Sequence, residues 1–341
     1  MQVTTIGLDL AKQVFQVHGV DANGKAVLRE RLRRAEVLGF FEDLDPCLVG
    51  MEACATSHHW ARELTGLGHT VRLIPPAYVK PYVRRQKNDA ADAEAICEAV
   101  GRPSMRFVPV KSVEQQAVLM LHRTRTLLVR QRTMLANALR AHLAEFGIIV
   151  AQGLRSLGAL IERISAPDAD GVPRLARAAL APLVGQFLAL EPQIKALEAE
   201  LVAWHKTSEE SRRLQTIPGV GVLTATAIAA TVSDPAHFRS GREFAAWLGL
   251  VPRQNSSGGK ERLGRVSKMG DGYIRSLLFV GATATIRSAR TKISAQAAWI
   301  NSLLARKPAK LVAVALANKM ARIAWAVLAR QKSYSPPALA A

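Results

Sequence analysis

Residues 3–33 read VTTIGLDLAKQVFQVHGVDANGKAVLRERLR, and this stretch decides the fold. Residues 3–9 are rich in β-forming side chains and end in an acid, Asp9. Residues 13–20 alternate apolar and polar side chains, the period of a half-buried strand. Residues 21–25 read DANGK, and an Asn-Gly pair between alternating runs is the strongest short hairpin signal. Residues 26–33 continue as a third strand.

Beyond residue 33 the pattern changes to alternation. A helix is expected at about 35–43, and residues 47–51 (CLVGM) predict a short buried strand ending at Glu52. A second helix covers roughly 57–67, residues 70–74 (TVRLI) form another strand closed by Pro75-Pro76, and Asp89 to Val100 has helical spacing. The order β-β-β-α-β-α-β-α implies a mixed sheet with helices on its faces. It is the order of the ribonuclease-H-like nuclease fold, in which the ends of the first and fourth strands and the start of the last helix converge.

Residues 101–112 (GRPSMRFVPVKS) hold two prolines and read as a linker. Val113 to Phe146 contains neither Gly nor Pro and reads as one long helix, punctuated by Arg123, Arg125, Arg130, Arg132 and Arg140. Leu183, Phe187, Leu190, Ile194, Leu197, Leu201 and Trp204 follow a 3.5-residue repeat, which specifies a coiled-coil seam. Pro192 inside it allows a kink or a later start, and pairing between copies is expected ahead of packing within one chain. Further helices are expected at 239–250, 271–289 and about 308–332, with a polar, Gly-rich basic stretch at 252–270. The expected architecture is an α/β ribonuclease-H-like domain at 1–105, a helical coiled-coil connector at 106–206, and a mostly α domain at 207–341.

Hydrophobic residues make up 49% of the 341, enough to build large cores and to exclude wholesale disorder. The net charge of +19 and pI near 10.5 point to a polyanion, either nucleic acid or an acidic membrane surface, unless they reflect a general basic bias. Residues 1–100 carry 12 basic and 13 acidic side chains, so of the 46 and 27 in the chain the remainder holds 34 and 14, a net of +20. A near-neutral first part and a strongly basic second part fit a chemical site in one and a phosphate grip in the other. No run of eighteen apolar residues suggests a membrane span, and MQVTTIGLDLAK does not resemble a signal peptide, so a cytoplasmic protein is expected. Cys47, Cys54 and Cys97 read as reduced, buried thiols, and no CxxC or Cys/His spacing suggests zinc. His58 and His59 suit a helix start or surface better than a ligand pair.

Asp9, Glu52, Asp89 and Asp92 are the candidate metal ligands. Two divalent ions on a phosphodiester require hard oxygen ligands and open positions for substrate. Asp89 and Asp92, three apart, share one helix face, while Asp9 and Glu52 end apolar strands, where a bare acid is otherwise costly. Taken singly they read as ordinary strand-end acids and a helix cap; all four in fold-consistent places favour a metal site. Glu94 and Glu98 are expected on a solvated face.

In the basic half, Ile217-Pro218-Gly219-Val220-Gly221 looks like a helix-hairpin-helix, in which Gly219 and Gly221 permit a tight turn and the following N–H groups meet a phosphate; a plain turn between helices is the other reading. Residues 251–275 offer Ser256, Ser257, a Gly pair and six cations, Arg253, Lys260, Arg262, Arg265, Lys268 and Arg275. A serine beside glycine in such a loop can attack a phosphate while the cations stabilise the developing charge. From chemistry alone, serines that only hydrogen-bond to phosphate are the favoured reading.

The chain resembles the DEDD transposases of bacterial insertion sequences, whose members act as bridge-RNA-guided recombinases. IGLDLAK carries Asp9, GMEACATSHHWA carries Glu52, and KNDAADAEAI carries Asp89 and Asp92. LQTIPGVGVLTATAI, FAAWLGLVPRQNSSGGK and GRVSKMGDGYIRSLL follow in the order of the family's second domain. The resemblance implies that the first domain is RuvC-like, with Mg²⁺ held by the four acids and nucleophilic attack by Ser257, with Ser256 as the fallback. It also implies a covalent protein–DNA link resolved by strand exchange, a structured guide RNA pairing with donor and target DNA, and a bacterial homo-oligomer, dimer or tetramer, in which acids and serine come from one protomer or two. Asp271 stands where the family often has Asn. The alternatives are a RuvC-like structure-specific nuclease using metal-activated water and a non-catalytic nucleic-acid scaffold.

Overall fold

The computed structural model describes residues 2–83, 88–165 and 171–336. Lys87, at the head of the motif that carries Asp89 and Asp92, lies outside the described residues. The chain forms two compact units, Met1–Ser112 and Val113–Ala341.

The first unit is built on a five-stranded sheet. Strands β1 (Thr5–Asp9), β2 (Val14–Val20) and β3 (Ala26–Arg33) form an antiparallel meander. The β2–β3 turn closes as its sequence requires: Gly24 takes φ 77°, and the Asp21 carboxylate accepts from the amides of Asn23 and Lys25 at 2.9 and 3.0 Å. Then come α1 (Val37–Glu42), β4 (Leu48–Glu52), α2 (Ser57–Gly66), β5 (Thr70–Ile74), the single turn α3 (Pro76–Val79) and α4 (Asp89–Val100). The sheet order is β3-β2-β1-β4-β5, with β4 parallel to β1 and to β5. On one face Ile6, Leu8, Phe15 and Val17 pack with Phe41, Trp60 and Leu64. The other face receives α4, and Ile74, Val79, Ile96 and Val100 close that side. Each large side chain buried here contributes roughly 1.5–3 kcal/mol of hydrophobic stabilisation.

Residues 101–112 are tied to this unit instead of hanging free as a linker. The Val108 amide donates to the Leu73 carbonyl at 2.7 Å, Phe107 lies under the Arg72 guanidinium at 4.8 Å, and Arg62 donates to the Lys111 carbonyl at 2.7 Å. Their prolines fit, since an edge segment has no ladder partner on its outer side. His58 accepts the Lys111 amide at 3.2 Å and so pins this strap. All three cysteines are free thiols, and Cys47 and Cys97 are buried as expected; Cys54 is exposed, because it lies past the end of β4 in a turn.

The second unit opens with α5 (Val113–Ala144), α6 (Leu154–Ser165) and α7 (Arg174–Thr207). Helices α5 and α7 run antiparallel, held by Arg125–Glu198 at 2.6 Å and by Arg132–Glu191. The side chains of the expected seam turn inward within this one chain: Leu190, Ile194 and Leu201 are buried, Leu201 in a cluster with Val118 of α5. The seam's 3.5 periodicity reports a neighbouring helix and cannot say whose. Pro182 and Pro192 lie inside α7 on its exposed side, so the backbone carbonyls they leave without a donor are turned to water.

The rest of this unit comprises α8 (Glu209–Gln215), α9 (Val222–Thr231), α10 (Gly241–Trp247), a hairpin of β6 (Pro252–Gln254) and β7 (Leu263–Val266), α11 (Gly272–Ala289), α12 (Ala295–Leu304) and α13 (Ala309–Arg330). Helix α12 has no counterpart in the sequence reading. Helix α9 is buried from Thr224 to Ala230 at the heart of the core. Among the described residues one helix, α13, is long and apolar enough to cross a membrane by length and composition, yet its Val312, Leu316, Met320 and Val327 are buried in this core.

A polar network crosses this unit. His122 on α5 is 2% exposed, with Nδ1 2.9 Å from the Tyr273 hydroxyl and Nε2 3.0 Å from Thr226 Oγ1. Thr226 donates to the Val222 carbonyl at 2.8 Å, so it accepts from Nε2–H, and Nδ1 is left to accept from Tyr273. The ring must be neutral for this. Burial, and secondarily the Arg125 charge, lower its pKa to about 4. The unfolded chain therefore binds the proton first as pH falls, and stability present above about pH 6.5 is lost progressively towards pH 4, on the order of 3 kcal/mol. Urea midpoints at pH 7 and pH 4.5 are expected to fall further for the wild type than for His122→Gln; equal falls would remove His122 from the account.

Candidate active site

The acids reach one place because of what lies beneath α4. Gly7 on β1 and Gly50 on β4 are register partners across the parallel pair, and both face α4. A Cβ on Gly7 would overlap the Ala93 carbonyl and the Cys97 amide and stand 2.8 Å from Cys97 Cβ; one on Gly50 would stand 2.7 Å from Val100 Cβ. The two glycines thus let the helix backbone settle onto the sheet. Strand side chains alternate with period two, so Asp9 and Glu52, each two residues on, point to the same face.

The start of α4 is fixed by Asn88, whose Oδ1 accepts from the Ala91 amide at 2.8 Å. Asp89 and Asp92 occupy the first turn, where the N-terminal end of the helix dipole favours negative charge. One carboxylate oxygen from each of Asp9, Asp89 and Asp92 lies within 4.8 Å of the others. Oxygens about 2.1 Å from a shared ion, or bridging two ions about 3.5–4 Å apart, need spacings of this order. The donor set is all oxygen and fits a hard divalent cation. Glu52 is outside that group of three; it stands one strand over, where the next step of the β1–β4 register sets it beside Asp9. Partial burial of its thiol, then the Glu52 and Asp9 charges, raise the Cys54 pKa.

The serine-bearing stretch is a β-hairpin in the second unit. Asn255 donates to the Arg262 carbonyl at 2.8 Å and Lys260 to the Ser257 carbonyl at 3.1 Å. Gly258 and Gly259 form the tip at φ 57° and 75°, the pair of positive angles of a type I′ turn. Ser257 is the residue before that tip. Ser256 is engaged, its Oγ accepting from the Arg262 amide at 3.0 Å and from Gln254 Nε2 at 3.3 Å. Arg253, Lys260, Arg262, Arg265 and Lys268 are all exposed on the hairpin and its base.

The base is locked by close backbone approach. Gly249 (φ 69°) has no room for a Cβ against Met269, nor Gly270 (φ 68°) against Trp247. Arg275, expected at phosphate, uses Nη1 on the Leu248 and Met269 carbonyls, both at 2.8 Å, and so braces the hairpin. Asp271 caps α11 through the Tyr273 and Ile274 amides at 2.8 and 2.9 Å, a task Asn performs equally well. In the 217–221 turn the two glycines differ. Gly219 (φ 92°) faces α11, where a Cβ would meet Thr285 Oγ1 at 2.5 Å, whereas Gly221 is exposed at the N-cap of α9.

Sequence reasoning did not single out Gly7 and Gly50 or the brace at Arg275. The first pair had a signal: IGLD and VGME share the pattern glycine, any residue, acid. The brace had none, because its partners are backbone carbonyls.

Residues 211–298 match the family model described as Transposase IS116/IS110/IS902 family, and residues 6–148 match the model of the DEDD transposase domain of IS110. The chain is 52% identical to a probable family 20 transposase of Pseudomonas aeruginosa, over 98% of this chain and 100% of that one. It is 42% identical to the transposase for insertion sequence element IS1111A of Coxiella burnetii, over 97% and 91% of the two chains. To the transposase for IS1328 of Yersinia enterocolitica it is 41% identical, over 98% and 99%.

Proposed function

Because this chain belongs to the IS110/IS116 transposases of insertion sequences, enzymes that cut and rejoin DNA, we propose that Asp9, Glu52, Asp89 and Asp92 hold Mg²⁺ and that Ser257 is the nucleophile. The observation that carries the reading is the trio of carboxylates from β1 and α4 within 4.8 Å. The first unit then reads as a ribonuclease-H-like (RuvC-like) domain, its acids at the ends of neighbouring strands.

When bound, the ions would neutralise charge on the scissile phosphate and lower the cost of the leaving oxygen. The chain's own residues do the rest. Ser257 Oγ forms a bond to phosphorus as the phosphorus–oxygen bond of the DNA strand breaks; the serine proton passes to solvent water, and the leaving oxygen takes a proton from solvent. The exposed Arg253, Lys260, Arg262, Arg265 and Lys268 hold the strand against the hairpin tip. Ser256 is occupied with the Arg262 amide, which favours Ser257 for attack. In the 217–221 turn, read as a helix-hairpin-helix, Gly221 is the member left to meet a phosphate, since Gly219 serves packing. The reading includes a structured guide RNA and assembly as a homo-oligomer.

Thermal unfolding with and without millimolar Mg²⁺ or Mn²⁺ tests the metal site. A ligand at a hundred times its Kd adds about 2.7 kcal/mol. The wild-type midpoint is expected to rise by a few degrees with metal and to return on chelation, while Asp92→Asn shows no rise. An equal rise in the variant would remove the metal from these acids.

A further inference from the structure

Residues 272–341 contain eleven Lys and Arg and not one Asp or Glu. No other stretch of the chain of that length is free of acidic residues, and the serine hairpin is not part of this one. Six of these cations gather around α12. Arg287 lies in the last turn of α11, Arg290 and Lys292 in the α11–α12 connection, Arg306 and Lys307 in the α12–α13 connection, and Lys310 in the first turn of α13; all six are exposed. The Asn301 side chain donates to the Ala289 carbonyl at 3.3 Å and fastens the latter half of α12 to the end of α11. The two basic connections are therefore held at either side of one short helix, about 15 Å long.

In the first of these connections, directly after Lys292, stands Ile293, 93% exposed. The apolar side of α12 does not accompany it: Ala297 and Ile300 are buried in the core. A helix lying on a membrane would turn that side outward. An apolar tip beside Arg290 and Lys292 instead matches a groove-edge wedge on a polyanion.

We propose that the α12 region is a second duplex-DNA contact, separate from the serine hairpin: the six cations grip phosphates on both sides of a groove and Ile293 enters it at a base step. The span suits about half a turn of B-DNA, whose turn is about 34 Å. The proposal rests on the chain acting on DNA as a transposase and not on the metal and serine assignments.

The test uses the full chain, a 30-base-pair duplex of arbitrary sequence, chelator to exclude cleavage, and fluorescence anisotropy across a KCl series. Each phosphate contact contributes about 0.9 to the slope of log K against log salt. Arg290→Gln, Lys292→Gln, Arg306→Gln and Lys307→Gln combined are expected to reduce the slope by about 3–4, and Arg290→Lys with Arg306→Lys to preserve it. Ile293→Ser is expected to leave the slope unchanged but lengthen the end-to-end distance of a doubly labelled duplex by relaxing its bend. A slope within about 1 of the wild type in the fourfold variant, or loss confined to duplex RNA or to phosphatidylserine vesicles, overturns the DNA assignment. An unchanged bend in Ile293→Ser overturns the wedge. Because cleavage is not read, failure here leaves the acid and serine assignments standing, and their failure leaves this one.

Discussion

Ser257→Ala is expected to give no covalent protein–DNA product and no strand cleavage, and Asp92→Asn to lower cleavage by on the order of 10³-fold, with DNA binding near wild type in both. The two losses differ in kind. On the proposed mechanism alanine removes the atom that would bond to phosphorus, so nothing remains to form the adduct. Asparagine keeps the shape of Asp92 but replaces a charged ligand with a neutral one in a cluster of three oxygens within 4.8 Å. That weakens the site without erasing it, so excess metal should restore part of the rate in Asp92→Asn and none in Ser257→Ala.

Ser256→Ala is the comparison that makes this decisive. Ser256 Oγ accepts from the Arg262 amide at 3.0 Å inside the hairpin, and losing that bond should cost about 1 kcal/mol of local order. A tenfold fall in rate is the expected scale. Trapping the denatured reaction on a gel separates the outcomes. An adduct in Ser256→Ala and none in Ser257→Ala supports the assignment; the reverse moves it by one residue. Undiminished cutting by both variants would make the chain a nuclease that uses water.

Period and turn chemistry made the first unit readable. The Asn-Gly turn, the alternation in 13–20 and the strand-end acids each have a local cause, and each lies where those causes put it. The acids could be listed from sequence because a charged side chain ending an apolar strand is conspicuous. What brings them together was harder to see, because it consists of missing atoms at Gly7 and Gly50. The seam on α7 was visible as a stripe, but a stripe does not name its partner, and α5 of the same chain fills it. Helix α12 escaped because AQAAWINSLL is short and its small residues give little contrast between faces. The serine hairpin read as a loop because Pro252–Gln254 and Leu263–Val266 are exposed apart from the half-buried Val266, so no buried face imposes alternation on them.

Gly7→Ala is expected to cost far more activity than stability. The added methyl would overlap the Ala93 carbonyl and the Cys97 amide, which are backbone atoms of α4 and cannot swing aside as a side chain end would. The helix must lift, and overpacking of this sort costs roughly 1–3 kcal/mol. A lift of about an ångström carries Asp89 and Asp92 away from Asp9, and misplacement on that scale costs on the order of 10²-fold in rate. Gly50→Ala meets Val100 Cβ at 2.7 Å, a side chain that has some room to give, and its effect should be smaller. Gly39→Ala on α1, where a methyl meets nothing within 4 Å, should be neutral or stabilising by about 0.5–1 kcal/mol. Cleavage rates and melting temperatures of the three variants give the ordering, with the metal-dependent rise in melting temperature lost only in Gly7→Ala. Wild-type cleavage in Gly7→Ala would mean that the depth of α4 does not matter to the reaction, and the acids would then have to meet by some route other than the one the two glycines open.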